Sequence, residues 1–239
     1  MKEQTNNLLF HTLYYNQNAL SAWLGGSAAT QREDEYSDTD IVVICTNAGA
    51  IFDAIEKALS AVFGIQCTWK VEDCSKYQQR FYVLENSSTT YYVDVVVYEQ
   101  TEPEFFSEYF NIERHGSPVV LFDKTGILKA ASKNPKRENP HVDVKNTKAR
   151  FEVMYRTFLK EYLRGKFIDA YAFYTRLVSI YVYLERVTIT PEKHDFNLRY
   201  LYLDFPHEKA ASVEQMLKAS DLETMNVKAY EMKQRIASL

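Results

Sequence analysis

The hydrophobic period changes once along this chain, and that change limits what it can fold into. Up to about residue 140, helical and β-like stretches alternate. Ile41-Val42-Val43-Ile44 is a short apolar run, and Tyr91 to Tyr98 is a longer one, rich in β-branched and aromatic residues. Both read as buried strands. Gln66 to Val71 and Arg80 to Leu84 are weaker strand candidates, and Asn86-Ser87-Ser88 reads as a hairpin turn. Ile51, Ala54, Ile55, Ala58 and Val62 recur at helical spacing, and the segment from Asn7 to Trp23 is also expected to be helical.

Past the polar, proline-bearing stretch Ser132 to Pro140, which reads as a linker, the texture is helical throughout. Phe151, Met154, Tyr155, Phe158, Leu159, Tyr162 and Leu163 share one helix face, and Gly165 is placed to end that helix. The pattern repeats from Phe167 to Leu184, with shorter helices expected around Ser212 to Leu217 and Leu222 to Ile236. The expectation is an α+β protein of two domains, 1–140 and a helical bundle over 141–239.

Charge divides the same way. Residues 1–140 hold twelve Lys and Arg against nineteen Asp and Glu, whereas 141–239 hold sixteen against thirteen. The net charge of -4 argues against a generic basic nucleic-acid binder. Cys45, Cys67 and Cys74 form no CxxC pair, and the histidines show no HExxH spacing. That pattern excludes a disulfide framework and a zinc site, and suits thiols in a reducing cytoplasm. No apolar run approaches the roughly 20 residues of a membrane span. Met1 to Leu20 lacks the basic-then-apolar order of a leader, so a cytoplasmic protein is expected.

The residues that carry chemistry lie between Trp23 and Tyr98. Asp38 and Asp40 are one residue apart as the chain enters Ile41–Ile44, so they point to the same face of a strand. Two carboxylates so close repel unless a cation lies between them, and a hard ion such as Mg²⁺ takes oxygen ligands and phosphates. Asp94 sits inside an otherwise apolar strand, where an ionised carboxylate is costly unless it is paired or bound to a cation. Each has a plain alternative: Asp38 as a turn residue, Asp94 as a buried ion-pair partner. Gly25-Gly26-Ser27 supplies the complement, since glycines let backbone N–H groups approach a phosphate and Ser27 adds a hydroxyl.

Gly26-Ser27, a gap of ten residues, Asp38-x-Asp40 and a later strand aspartate together resemble the nucleotidyltransferase fold of the DNA polymerase β superfamily, and small bacterial aminoglycoside nucleotidyltransferases in particular. The resemblance implies a nucleotidyltransferase domain with a short mixed sheet, followed by a helical bundle. It implies Mg²⁺-dependent transfer of a nucleoside monophosphate, AMP from ATP or another NTP, onto an acceptor hydroxyl with release of pyrophosphate. Asp38, Asp40 and Asp94 are then the expected catalytic and metal-holding residues, with one or two ions; Asp94 is either a metal ligand or a general base. Gly25, Gly26 and Ser27 are expected to bind nucleotide. Lys148 stands about where the resemblance places a phosphate-contacting lysine.

The expected acceptor is a small molecule, aminoglycoside-like, rather than nucleic acid or membrane. A protein adenylyltransferase and a non-catalytic, antitoxin-like binding module are the competing readings, and the oligomeric state stays open, a homodimer included. Glu33-Asp34-Glu35 and Glu99, Glu102 and Glu104 are further acidic candidates for substrate contact. Arg156, Lys160 and Arg164 lie on one helix face and could meet phosphate.

Overall fold

The computed structural model describes residues 1–71, 77–99, 106, 110–133 and 143–238. Most of the expected linker lies outside these residues, as do Cys74, Glu102 and Glu104. The chain divides into two compact units, Met1–Arg137 and Glu138–Leu239.

In the first unit, α1 (Lys2–Tyr14) leads to β1 (Ala19–Leu24), the short α2 (Gly26–Ala29), β2 (Thr39–Cys45) and α3 (Ala48–Val62). Then come β3 (Ile65–Lys70), β4 (Gln78–Leu84), β5 (Val93–Tyr98), α4 (Ile112–His115), β6 (Val119–Asp123) and α5 (Ile127–Lys133). The strands form one six-stranded sheet in the order β3-β4-β5-β2-β1-β6. β2 and β5 are parallel neighbours and the other pairs are antiparallel, which makes the sheet mixed.

The helix expected from Asn7 to Trp23 is corrected by the structure. α1 stops at Tyr14, and the Asn16 side chain accepts the Asn18 amide at 2.8 Å, turning the chain. Ala19–Leu24 then pairs with β2 on one side and β6 on the other. Ladder hydrogen bonds and burial of Trp23 outweigh the helical leaning of Ala and Leu.

The sheet has two covered faces, which explains why β2 and β5 read as continuous apolar runs. On one, Ile41, Val43, Val93, Val95 and Val97 pack with Leu9 and Leu13 of α1 and Ile51, Ile55 and Leu59 of α3. On the other, Val42, Ile44, Val96 and Tyr98 pack with Trp23, Phe106, Phe110 and Leu128. By the period of two, Asp40 belongs with Val42 and Ile44, and Asp94 with Val96 and Tyr98. Both carboxylates therefore stand at one end of that second face.

The second unit is helical: α6 (Val144–Leu163), α7 (Phe167–Ile189), a 3₁₀ turn (Pro191–Phe196), α8 (Leu201–Asp204), α9 (His207–Leu217) and α10 (Leu222–Ser238). Phe151, Phe158, Leu177, Val178, Met225 and Met232 anchor its core. Past the end of α6 the chain turns at Gly165, at φ +66°, and its amide bonds back to Tyr162 O at 2.9 Å. The fully buried Arg186 donates to Asn197 O at 2.8 Å and to Asp204 Oδ2 at 3.0 Å, tying the turn after α7 to its end. Among the described residues, no helix is long and apolar enough to cross a membrane.

Candidate active site

The parallel register of β2 and β5 sets Asp40 directly beside Asp94. On the other side of Asp40, the chain leaves β1 at Gly25, whose amide donates to Asp40 O at 3.0 Å. Gly26 follows at φ +51°, and a Cβ there would lie 1.8 Å from Asp40 Oδ2. Only glycine gives both that backbone angle and that approach. The α2 turn then presents Ser27, and it is tied down where Ala29 O accepts the Ser117 amide at 2.8 Å. A small cleft is lined by Lys2, Asn6, Gly25, Ser27, Asp38, Thr39 and Asp40.

Each carboxylate has a donor or a burden. Gln79 Nε2, reaching over from β4, donates to both oxygens of Asp94 at 2.8 and 2.9 Å. Asp38 accepts a hydrogen bond from the Tyr92 hydroxyl, which first of all, with burial and the surrounding carboxylates, raises the phenol above its ordinary value. Burial pushes Asp40 up to about 7, helped by the charges of Asp38 and Asp94 and slightly offset by the Lys2 ammonium. Burial likewise raises Asp94 to about 6, with Gln79 opposing and the Asp38 charge adding. Among the described residues, no three Asp, Glu, His or Cys side chains are gathered tightly enough to grip a metal ion as they stand. Asp94 is held instead by Gln79, and Asp38 bonds both the Tyr92 hydroxyl and the Asp40 side chain. The donor set is nonetheless all oxygen, which suits a hard divalent cation.

Two solved structures align with nearly the whole chain, at low identity and with TM-scores below 0.5. A nucleotidyltransferase-like protein from Exiguobacterium sibiricum is 11% identical over 98% of this chain and 75% of its own, with a TM-score of 0.44. A spectinomycin adenyltransferase from Enterococcus faecialis, crystallised with ATP and spectinomycin, is 10% identical over 99% of this chain and 100% of its own, with a TM-score of 0.39. No protein-family model and no curated protein matches the chain.

Of the other residues singled out in the sequence, Lys148 lies on α6 in the second unit, partly exposed. Arg156 and Arg164 are paired with Glu152 and Glu161 within that same helix region, which neutralises much of the basic face. Glu99 is occupied structurally, accepting the Ala48 amide at 2.7 Å at the start of α3. Asp34 organises its own turn through Ser37 and Tyr36. Glu33 forms an ion pair with Lys2 at 2.8 Å.

Three residues of the site escaped the sequence reading. Tyr92 stands two residues before Asp94, so the strand period alone puts it on the same face. Gln79 is brought over by β4–β5 pairing, which no local pattern announces. Lys2 Nζ sits 3.5 Å from Ser27 Oγ, carried there by α1, and nothing in its flanking sequence signals it.

Proposed function

We propose that this chain is a nucleotidyltransferase that moves a nucleoside monophosphate, AMP from ATP, onto a hydroxyl of a small-molecule acceptor, with aminoglycoside-like compounds as the first class to test. The observation that carries the reading is the succession Ser27, Gly26, Asp40, Asp94 along one end of the sheet, with Gly26 against the Asp40 carboxylate. On this reading the succession would offer, in turn, groups for the phosphates, a carboxylate for the metal and a second carboxylate for the acceptor.

In this reading the β- and γ-phosphates rest on the Gly25–Ser27 backbone and the Ser27 hydroxyl. Lys2 turns from Glu33 to meet their charge, since both anions compete for one ammonium. Asp38 and Asp40 would hold Mg²⁺, which neutralises triphosphate charge where it grows during transfer. Asp94 takes the proton from the acceptor hydroxyl. Gln79 supports that assignment over metal ligation, because its amide already occupies one lone pair on each carboxylate oxygen and fixes the group's direction. As the proton leaves, the acceptor oxygen bonds the α-phosphorus, the bond from phosphorus to the pyrophosphate oxygen breaks, and pyrophosphate departs toward Ser27 and Lys2.

The test is pyrophosphate release from labelled NTPs over a panel of antibiotics and cyclic metabolites. Wild type should release pyrophosphate with an acceptor, and Asp40→Asn, Asp94→Asn and Gly26→Ala should each lose about a hundredfold or more in rate. Folded variants with unchanged rates would overturn the assignment.

A further inference from the structure

The row of in-register residues does not stop at Asp94. Across β4, Phe81 is the partner of Asp94, and across β3, Trp69 is the partner of Phe81. Partners in register share a sheet face, so Trp69, Phe81, Asp94 and Asp40 form one line across four strands. Trp69 and Phe81 are stacked, with ring centroids 4.9 Å apart and planes 17° from parallel. Tyr92, whose hydroxyl donates to Asp38, packs against Phe81 in a T-shaped pair with centroids 5.8 Å apart. Trp69 is 63% exposed, unlike the fully buried Trp23. An aromatic surface open to water and in register with a half-buried carboxylate invites a ligand.

The chemistry says which ligand. Transfer by in-line displacement sets the entering oxygen and the leaving pyrophosphate on opposite sides of the α-phosphorus. Pyrophosphate lies at the Ser27 end of the row in the proposed reading. The acceptor must then enter from the other end, over Asp94, Phe81 and Trp69. With strands about 4.8 Å apart, Phe81 lies about 5 Å and Trp69 about 10 Å beyond Asp94. That span matches a ring or two, and an aromatic face holds the apolar C–H face of a ring while leaving its hydroxyls free.

We infer that Trp69 and Phe81 form the acceptor subsite, where a ring of the acceptor stacks and presents a hydroxyl to Asp94. Amino groups on such a ring gain further from the π-faces. The inference rests on the nucleotidyltransferase reading, and names the residues that seat the acceptor in it.

Trp69 also supplies the reporter, because the chain has two tryptophans and the other is buried. The whole protein, loaded with Mg²⁺ and a non-hydrolysable ATP analogue, is titrated with spectinomycin and kanamycin, with open-chain sorbitol as control. Calorimetry gives affinities for wild type, Trp69→Phe and Trp69→Leu. The ring compounds should quench or shift tryptophan emission and sorbitol should not. Trp69→Leu should weaken ring-compound binding about tenfold, Trp69→Phe should restore most of it, and nucleotide affinity should stay constant. Nucleotide binding without any response to the ring compounds overturns the subsite alone. So does equal affinity in Trp69→Leu with a lower melting temperature, which would make the stack a cross-strand brace. A wild type that binds no nucleotide removes the functional reading and the subsite with it.

Discussion

Asp40 is held where its charge is unfavourable, half-buried beside two other carboxylates. Its folded-state value of about 7 stands above the unfolded value near 3.9. Between those values the folded protein binds more protons than the unfolded chain. The stability Asp40 contributes is therefore present below about pH 4 and lost as pH rises through about 7. Without divalent ions, the melting temperature of wild type should fall relative to Asp40→Asn between pH 5 and pH 8, and Mg²⁺ should shrink the gap. Two parallel curves would mean that Asp40 carries no such burden. Removing this side chain should abolish transfer, through loss of the proposed metal-holding carboxylate, and the relieved repulsion should leave folding intact or improved.

At the scale of elements, the site depends on a short strand and cap that frame β1. The Asp123 carboxylate, at the end of β6, accepts the amides of Ile127, Leu128 and Lys129 and the buried Ser21 hydroxyl at 2.7 Å. It starts α5 and pins β6 to β1 at once. Asp123→Ala should cost about 2 kcal/mol, read as a lower urea midpoint at constant slope, by leaving those donors unsatisfied. An unchanged midpoint would show that water replaces the carboxylate without loss. Elements such as this one also mark the limit of reading from sequence. β2 and β5 were legible because runs of Val and Ile have few alternatives. β1 was not, since Ala19–Leu24 mixes helix-favouring residues and is buried on both faces, which removes the alternation that would reveal a strand. Asp38, Asp40, Asp94 and the glycine turn were legible from spacing and burial cost. Gln79, Phe81 and Trp69 were not, because strand register across β3, β4 and β5 is what lines them up with Asp94.

At the scale of the molecule, an anionic substrate would have to settle on an acidic half. The first 140 residues carry nineteen acids against twelve bases, and the cleft beside Gly25 and Ser27 holds two aspartates and one lysine. A triphosphate can bind there only if a cation accompanies it. Nucleotide affinity should therefore depend steeply on the divalent ion and on Asp40. The decisive measurement is a calorimetric titration of the whole protein with a non-hydrolysable ATP analogue, in Mg²⁺ and in EDTA, with Asp40→Asn and Lys2→Met alongside. One nucleotide should bind per chain in Mg²⁺, with affinity lowered about tenfold or more by EDTA and by each substitution. No binding in Mg²⁺, or equal affinity in folded Asp40→Asn, would contradict it.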